Sequence, residues 1–200
     1  NGAALNVAAL SGITACSYTA FGTAHKFTLT GSTASDLSGL VQFGKQAVAA
    51  TATTAAVAEA AYEAANKDLT TGSFNDVVLT GASGNINLGA GDDKITTAAT
   101  YTGTITGGAG SDTFVISNTT TGTATIADLG ATDILQVTAG VVTVDVVESF
   151  TATAATTNAV VSAADSSTGT TLTLKDGVNV DMTLATLADS THGYTIKTDA

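Results

Sequence analysis

Three short segments of the chain place an aspartate directly after a turn-forming stretch. They read GGAGSDTFV at 107–115, LGAGDDKIT at 88–96 and TGSFNDVVL at 71–79. Glycine permits positive φ and has no Cβ, so the carbonyl oxygens of a tight glycine-rich turn can face a common point. Hard cations such as calcium take about six to eight oxygen ligands from carbonyls and carboxylates. These residue types therefore indicate the chemistry of a hard divalent cation.

The segments belong to a repeat with a short period. Similar stretches start at Gly84, Gly103 and Gly122, so the period is 19 residues. Each unit has two short alternating runs separated by a glycine-rich turn, which is the pattern of strand, turn and strand. A period this short predicts a solenoid of parallel strands in which each coil covers the previous one.

The alternation of apolar and polar residues predicts which side chains face the core. With a period of 19, Ile86, Ile105 and Ala124 form one inward column, and Ile95 aligns with Phe114. The polar neighbours then form three outward columns, which are Ser83, Thr102 and Thr121; Asn85, Thr104 and Thr123; and Asn87, Thr106 and Thr125.

The composition favours β-structure. The chain has 21 glycines and no proline, so glycine makes the turns and nothing interrupts a long ladder of hydrogen bonds. Hydrophobic residues make up 44% of the chain, but aromatic residues only 5%. The core must therefore consist mostly of small and β-branched side chains, which suit strands.

The N-terminal third contains a departure from the β pattern. Apolar residues follow helical spacing after Ser35, a good N-cap residue, and the stretch 55–67 is rich in alanine. We therefore predict a small helical segment near 35–67.

These patterns predict a mainly β protein in three parts. N-terminal strands and two helices occupy 1–70, a short parallel β-roll with glycine-rich turns occupies 71–138, and irregular β coils or a cap occupy 139–200. In the last part, KDGVNV at 175–180 is typical of a hairpin turn.

The chain is acidic, with 17 Asp and Glu against 6 Lys and Arg and a net charge of −11. This balance excludes the basic footprint of a nucleic-acid-binding protein. An acidic surface serves solubility, whereas carboxylates at glycine-rich turns are also suited to bind hard cations. The sequence has no run near the about 20 apolar residues of a membrane span, so we expect no transmembrane segment.

The sequence lacks the residues of common hydrolytic sites. His25 and His192 are the only histidines, so no HExxH zinc site can be written. GASGN at 81–85 does not have the G-x-S-x-G spacing of a nucleophile elbow. Cys16 stands alone and is expected to be a small buried hydrophobic residue. We therefore expect no enzymatic activity.

The glycine-rich segments follow a known nonapeptide pattern, G-G-x-G-x-D-x-U-x. The segment at 107–115 matches it in full, and the segment at 88–96 departs from it only at Leu88. A weaker copy at 71–79 has Phe74 in place of a glycine.

A second motif follows the nonapeptides. TIADLGATDILQV at 125–137 resembles the I-x-D-F-x-x-G-x-D-x-I segment that commonly comes after such repeats, with Leu129 in place of the usual Phe. Over roughly residues 71–138 the sequence therefore resembles the RTX (repeats-in-toxin, hemolysin-type) calcium-binding family.

The resemblance implies a β-roll in which aspartates and glycine-region carbonyls of turns one coil apart coordinate Ca²⁺. Carried over onto this chain, one ion would lie between two turns. The implied ligands are Gly89, Gly91 and Asp93 in the first turn and Gly108, Gly110 and Asp112 in the second.

Further ligands follow from the same resemblance. Asp76 together with Asp93 would hold another ion, although Phe74 departs from the pattern there. Asp128 and Asp133 would close the stack.

The family also implies a cellular route and location. Its members leave bacteria through a type I exporter and fold outside the cell when calcium binds, so metal binding and folding share one free energy. We therefore expect an extracellular or cell-surface protein.

The expected function is that of a non-catalytic structural protein, which self-assembles into a homo-oligomer or polymer in a bacterial S-layer or extracellular filament. The alternative is a calcium-dependent adhesin or ligand-binding module. Such a module would bind a glycan, for example a cell-surface polysaccharide, or bind ice through the flat threonine array, which is two coils deep in this alignment.

Overall fold

The structure is a computed structural model. It describes the strands 15–21, 24–30 and 35–36 by their backbone, and in full residues 59, 61–64, 66, 68–118, 122–158, 170–187 and 193–199. This part of the chain contains strands, turns and no helix, and so no helix that could cross a membrane. The prediction of a mainly β fold is confirmed.

Nineteen strands are formed by the described residues. They are Ala15–Phe21 (β1), Ala24–Thr30 (β2), Ser35–Asp36 (β3), Tyr62–Ala64 (β4), Leu69–Thr70 (β5), Val77–Thr80 (β6), Ile86–Asn87 (β7), Lys94–Thr96 (β8), Thr102–Thr106 (β9), Thr113–Ser117 (β10), Thr123–Leu129 (β11), Ile134–Ala139 (β12), Val141–Val146 (β13), Phe150–Thr151 (β14), Thr157–Asn158 (β15), Thr170–Leu174 (β16), Val180–Asp181 (β17), Thr186–Leu187 (β18) and Tyr194–Thr198 (β19).

Two parallel sheets form a β-solenoid. The eight-stranded sheet has the order β19-β16-β13-β11-β9-β7-β5-β3, and the seven-stranded sheet has the order β18-β15-β12-β10-β8-β6-β4. Successive strands from β3 to β13 alternate between the two sheets, so one strand of each makes one coil. β1 and β2 form a separate antiparallel pair. The predicted parallel solenoid is confirmed.

The inward side chains of both sheets form one hydrophobic core. Ile86, Ile105 and Ile126 lie in register on neighbouring strands of the eight-stranded sheet and are at most 1% exposed. On the other sheet, Ile95 pairs with Phe114 as predicted, and both are fully buried. The alternation of buried and half-buried residues along β10 and β11 follows the period of two of a strand.

All four predicted columns that reach the third coil are wrong there; Thr104, for example, pairs with Thr125 and not with Thr123. Ile105 pairs with Ile126, and Ala124 pairs with Gly103. The third coil is thus 21 residues long at this sheet and not 19. Thr102 accordingly pairs with Thr123, whereas the predicted partner Thr121 lies outside the described residues.

The predicted helical segment near 35–67 is wrong where the structure describes it. Ser35–Asp36 and Tyr62–Ala64 are strands, and Tyr62–Ala64 pairs in parallel with Val78–Thr80. Ala64 is buried and Glu63 is exposed, so sheet pairing and burial outweigh the helix propensity of the alanine-rich stretch. Most of the remaining positions in 35–67 lie outside the described residues.

The coils change shape after β13. In each of two later coils, a short third strand lies along the chain between the strand of the eight-stranded sheet and that of the seven-stranded sheet. These strands, β14 and β17, pair in parallel. The hairpin predicted at 175–180 is therefore wrong. The chain does turn there, with the Val178 N–H donating to the Lys175 carbonyl at 3.1 Å, but it leads from one sheet to another.

Candidate metal centre

The glycine-rich turns lie one above the other on one side of the solenoid. Residues 88–93 lead from β7 to β8, and residues 107–112 lead from β9 to β10. A parallel bridge between Ala90 and Ala109 connects the two turns. The structure therefore brings together the two turns that were predicted to face each other.

The glycines of these turns are required by both conformation and space. Gly108 has a φ of 95° and Gly110 a φ of 137°. A Cβ on Gly108 would lie 1.9 Å from the carbonyl oxygen of Gly89, and a Cβ on Gly110 would lie 2.0 Å from that of Gly91. The two backbones therefore approach each other more closely than any side chain permits, with carbonyl oxygens directed from one turn toward the next.

The predicted aspartates form a continuous buried column. The backbone N–H of Asp76 donates to Oδ1 of Asp93 at 2.6 Å, and that of Asp93 donates to Oδ1 of Asp112 at 2.9 Å. The N–H of Asp112 donates in turn to Oδ1 of Asp133 at 2.9 Å. These pairs are 17, 19 and 21 residues apart, so the column stays in register although the coils differ in length.

The second carboxylate oxygen distinguishes members of this column. Oδ2 of Asp93 and Oδ2 of Asp112 are buried and have no hydrogen-bond partner, and each side chain is 1% exposed. Oδ2 of Asp133, in contrast, accepts the Gly130 N–H at 2.7 Å. A buried carboxylate oxygen without a partner is costly, so two of them on adjacent coils indicate a place for a positive charge.

The column is an unfavourable place for negative charge. Burial, and to a lesser degree the carboxylates of Asp112 and Asp76, raise the pKa of Asp93 to about 7, against the opposing hydrogen bond from the Asp76 backbone. Burial likewise raises the pKa of Asp112 to about 6 and raises that of Asp133. A proton or a cation would relieve this strain on the folded state.

Asp128 lies outside the column and contacts the preceding turn. Its Oδ1 accepts the Gly107 N–H at 2.8 Å and its Oδ2 accepts the Gly108 N–H at 2.8 Å. Thr132 from the same coil donates its hydroxyl to the Gly110 carbonyl at 2.8 Å. Asp128 and Asp133 therefore both accept N–H groups of the turn at 107–112, Asp128 from Gly107 and Gly108 and Asp133 from Asp112.

A second side-chain column runs beside the first, on the solvent side. The Asp92 N–H donates to Oδ1 of Asn75 at 3.0 Å, and the Ser111 N–H donates to Oδ1 of Asp92 at 2.9 Å. These bonds run in the opposite direction to those of the buried aspartates. Asp92 is exposed, as its variable position in the nonapeptide suggests.

The first turn departs from the other two. None of the described non-glycine residues has a positive φ, so Phe74 does not adopt the conformation of its counterparts Gly91 and Gly110. Phe74 is 42% exposed. The turn at 71–76 therefore stacks on the next turn without sharing its full glycine geometry.

The donor set fits a hard cation if backbone oxygens take part. Among the described residues, no group of three or more histidine, cysteine or acidic side chains could hold a metal ion. Asp93 and Asp112 offer one unpartnered oxygen each. The Gly89 carbonyl accepts the Ala109 N–H at 2.9 Å, but a carbonyl oxygen has a second lone pair. Calcium accepts such a mixture of carboxylates and carbonyls.

Sequence reasoning missed a buried polar network at the opposite corner of the coils. Thr97 donates its hydroxyl to Oδ1 of Asn118 at 2.8 Å, and Nδ2 of Asn118 donates to the Tyr101 carbonyl at 3.2 Å. The signal was a polar residue directly after successive strands of one sheet. Because these groups bond to each other, the network joins coils and leaves no open ligand position.

Comparison with known proteins finds no counterpart. No protein-family model, curated protein or solved structure matches the chain. The function is therefore inferred from the glycine turns and the aspartate column.

Proposed function

We propose that the chain is a calcium-binding β-solenoid of the RTX type, a non-catalytic secreted protein that serves as a building block of a bacterial surface layer or filament. The observation that supports this best is the pair of buried, unpartnered Oδ2 atoms of Asp93 and Asp112 on adjacent coils. They lie at the ends of two stacked glycine turns, at 88–93 and 107–112. We call the contact between the turns of two adjacent coils a seam, and carbonyl oxygens are directed across this one.

Calcium is the cation that this donor set favours. The candidate ligands are all oxygens, which excludes a preference for the softer metals that choose thiolate or imidazole. Magnesium demands a strict octahedron, whereas calcium tolerates the irregular geometry of backbone carbonyls from two turns. A bound ion would balance the charge of the column, so binding would stabilise the stacked coils.

The last described strands of both sheets carry exposed apolar residues. In the described part of the chain, β18 and β19 each have a neighbouring strand on one side only. Ile196 lies in register with the fully buried Leu172 but is 50% exposed, and Leu187 is 43% exposed. An edge strand with exposed apolar residues is a template for a further strand, and a second copy of this chain is the partner that we propose.

Calcium titration of matched variants tests the metal site. Asp112→Asn keeps an acceptor for the Asp93 N–H but removes the charge, and we expect it to weaken calcium binding by more than about tenfold. Asp92→Asn removes the same charge from the exposed neighbouring column and should change affinity by less than about threefold. Calorimetry measures both, and equal effects of the two variants would contradict the assignment of ligands.

A second candidate function is ice binding through the threonine face. The structure places Thr104, Thr125, Thr143, Thr171 and Thr195 in one outward column across five strands, deeper than the two coils of the sequence alignment. Asp145 and Lys197 interrupt the neighbouring column. Thermal hysteresis that is lost in Thr143→Lys would favour this function, whereas calcium-dependent assembly without hysteresis favours the building block.

A further inference from the structure

We propose that the glycine-turn stack binds a single calcium ion, between 88–93 and 107–112, and that Asp128 closes the following seam with its own carboxylate in place of a metal. This inference rests on the proposed calcium binding and specifies its stoichiometry. It also gives two aspartates different roles. Asp112 is a calcium ligand, whereas Asp128 accepts hydrogen bonds across the next seam without a metal.

The seam after the second turn has its oxygens engaged by protein donors. Both oxygens of Asp128 accept glycine N–H groups of the turn at 107–112, at 2.8 Å each. Both oxygens of Asp133 also accept N–H groups, from Asp112 at 2.9 Å and from Gly130 at 2.7 Å. These carboxylates therefore offer no counterpart to the unpartnered Oδ2 atoms of the preceding seam.

The amides beneath Asp128 also oppose a cation there. Two consecutive N–H groups that converge on a carboxylate form a positive concavity, which favours an anion. Because Asp128 is fixed by these charge-assisted bonds, it satisfies the turn whether or not calcium is present.

The seam between 71–76 and 88–93 has a full glycine turn on one side only. Phe74 occupies the position of Gly91 without a positive φ. The Thr71 hydroxyl donates to the carbonyl of Leu88, and the Ala90 N–H donates to the Gly72 carbonyl at 2.7 Å. The turn at 71–76 thus lacks the glycine conformation that Gly91 and Gly110 share, so only the seam between 88–93 and 107–112 stacks two full glycine turns in the described part of the chain.

Native mass spectrometry and calorimetry of the whole chain with calcium test this assignment. Wild type should bind one ion in the stack, Asp112→Asn none, and Asp128→Asn one, with an affinity change of less than about threefold, as in the control Asp92→Asn. Two or more ions that are lost in Asp112→Asn, or an ion lost in Asp128→Asn, would overturn the inference. A wild type that binds no calcium would instead overturn the proposed function itself.

Thermal unfolding gives a second readout that does not depend on counting ions. Asp128→Asn should lower the midpoint equally with calcium and with chelator, so the calcium-induced shift stays as in wild type. Asp112→Asn should abolish most of that shift. A calcium-induced shift that is reduced as much by Asp128→Asn as by Asp112→Asn would show that Asp128 is a ligand.

Discussion

At the residue scale, Gly108 and Asp112 have different roles within one turn. Gly108 lets two backbones meet, because its missing Cβ leaves room for the Gly89 carbonyl. Asp112 joins coils through Oδ1, and its Oδ2 is buried without a hydrogen-bond partner, where the proposed cation would bind. The nonapeptide thus combines a residue required by the backbone and a proposed ligand, and substitutions should separate the two roles.

Replacing Gly108 with alanine should destabilise the protein strongly. The new Cβ would be strained at φ 95° and would lie 1.9 Å from the Gly89 oxygen, so we expect a loss of about 3 kcal/mol or more in the free energy of unfolding. Gly177→Ala is the control, because Gly177 has a φ of 76° with no atom within 4 Å of its Cβ position. Its cost should be about 1 kcal/mol, from backbone strain alone. Equal costs in chemical denaturation would contradict the close approach of the turns.

The aspartate column predicts an unusual pH dependence for the calcium-free protein. The folded pKa values of Asp93, about 7, and Asp112, about 6, lie above the unfolded value, so the folded state binds more protons. This contribution to stability is complete below about pH 4 and is lost as pH rises through 6 to 7. The midpoint temperature of thermal unfolding should therefore fall as the pH rises from about 4.5 to about 7.5, because two buried carboxyl groups lose their protons over this interval.

Asp93→Asn serves as the control for this pH dependence. It keeps an acceptor for the Asp76 N–H but cannot titrate, so the fall in the midpoint should become shallower. A wild-type midpoint that rises over the same interval would contradict the burial of these carboxylates.

At the element scale, each strand of the repeat has two faces with different tolerance. Ile105 is fully buried between Ile86 and Ile126, and Ile105→Ala should cost about 2–5 kcal/mol because it leaves a cavity. Thr104 on the same strand points outward, and Thr104→Ala should change stability by less than about 0.5 kcal/mol. Denaturant unfolding of both variants measures the difference in the free energy of unfolding. Similar losses would show that both faces of the strand are buried.

Local sequence patterns predicted the repeat elements well. Features that depend on longer-range contacts were predicted less well. The period-two alternation located Ile86, Ile105 and Ile95 in the core, and the glycine nonapeptides located the turns. The register of the third coil was missed because coil length is set by corner residues between β10 and β11, which alternation does not constrain. The helix near 35–67 was predicted from propensity, whereas pairing of Tyr62–Ala64 with a neighbouring strand decided the outcome.

The candidate site shows the same division. The sequence predicted that Asp93 and Asp112 would stack, because their nonapeptides align. It did not predict that Asp128 would accept the Gly107 and Gly108 amides, because this contact depends on the 21-residue coil that places Asp128 below them.

At the scale of the whole molecule, the two sheets end in strands whose apolar residues are exposed in the described part of the chain. Ile196→Lys should suppress the proposed calcium-dependent assembly, because a charge on this strand opposes strand addition. Thr195→Lys adds the same charge on the outward face of the same strand and should leave assembly intact. Light scattering and electron microscopy distinguish the two, and equal suppression would indicate an effect of net charge alone.

The bonds of the buried aspartates all point the same way along the chain, from the backbone of one coil to the carboxylate of its successor. The backbone N–H of each of these aspartates therefore has its acceptor on the following coil. A chain cut after Ser111 would lack Asp112, and the Asp93 amide would lose its acceptor, so disorder would reach one winding deeper than the cut.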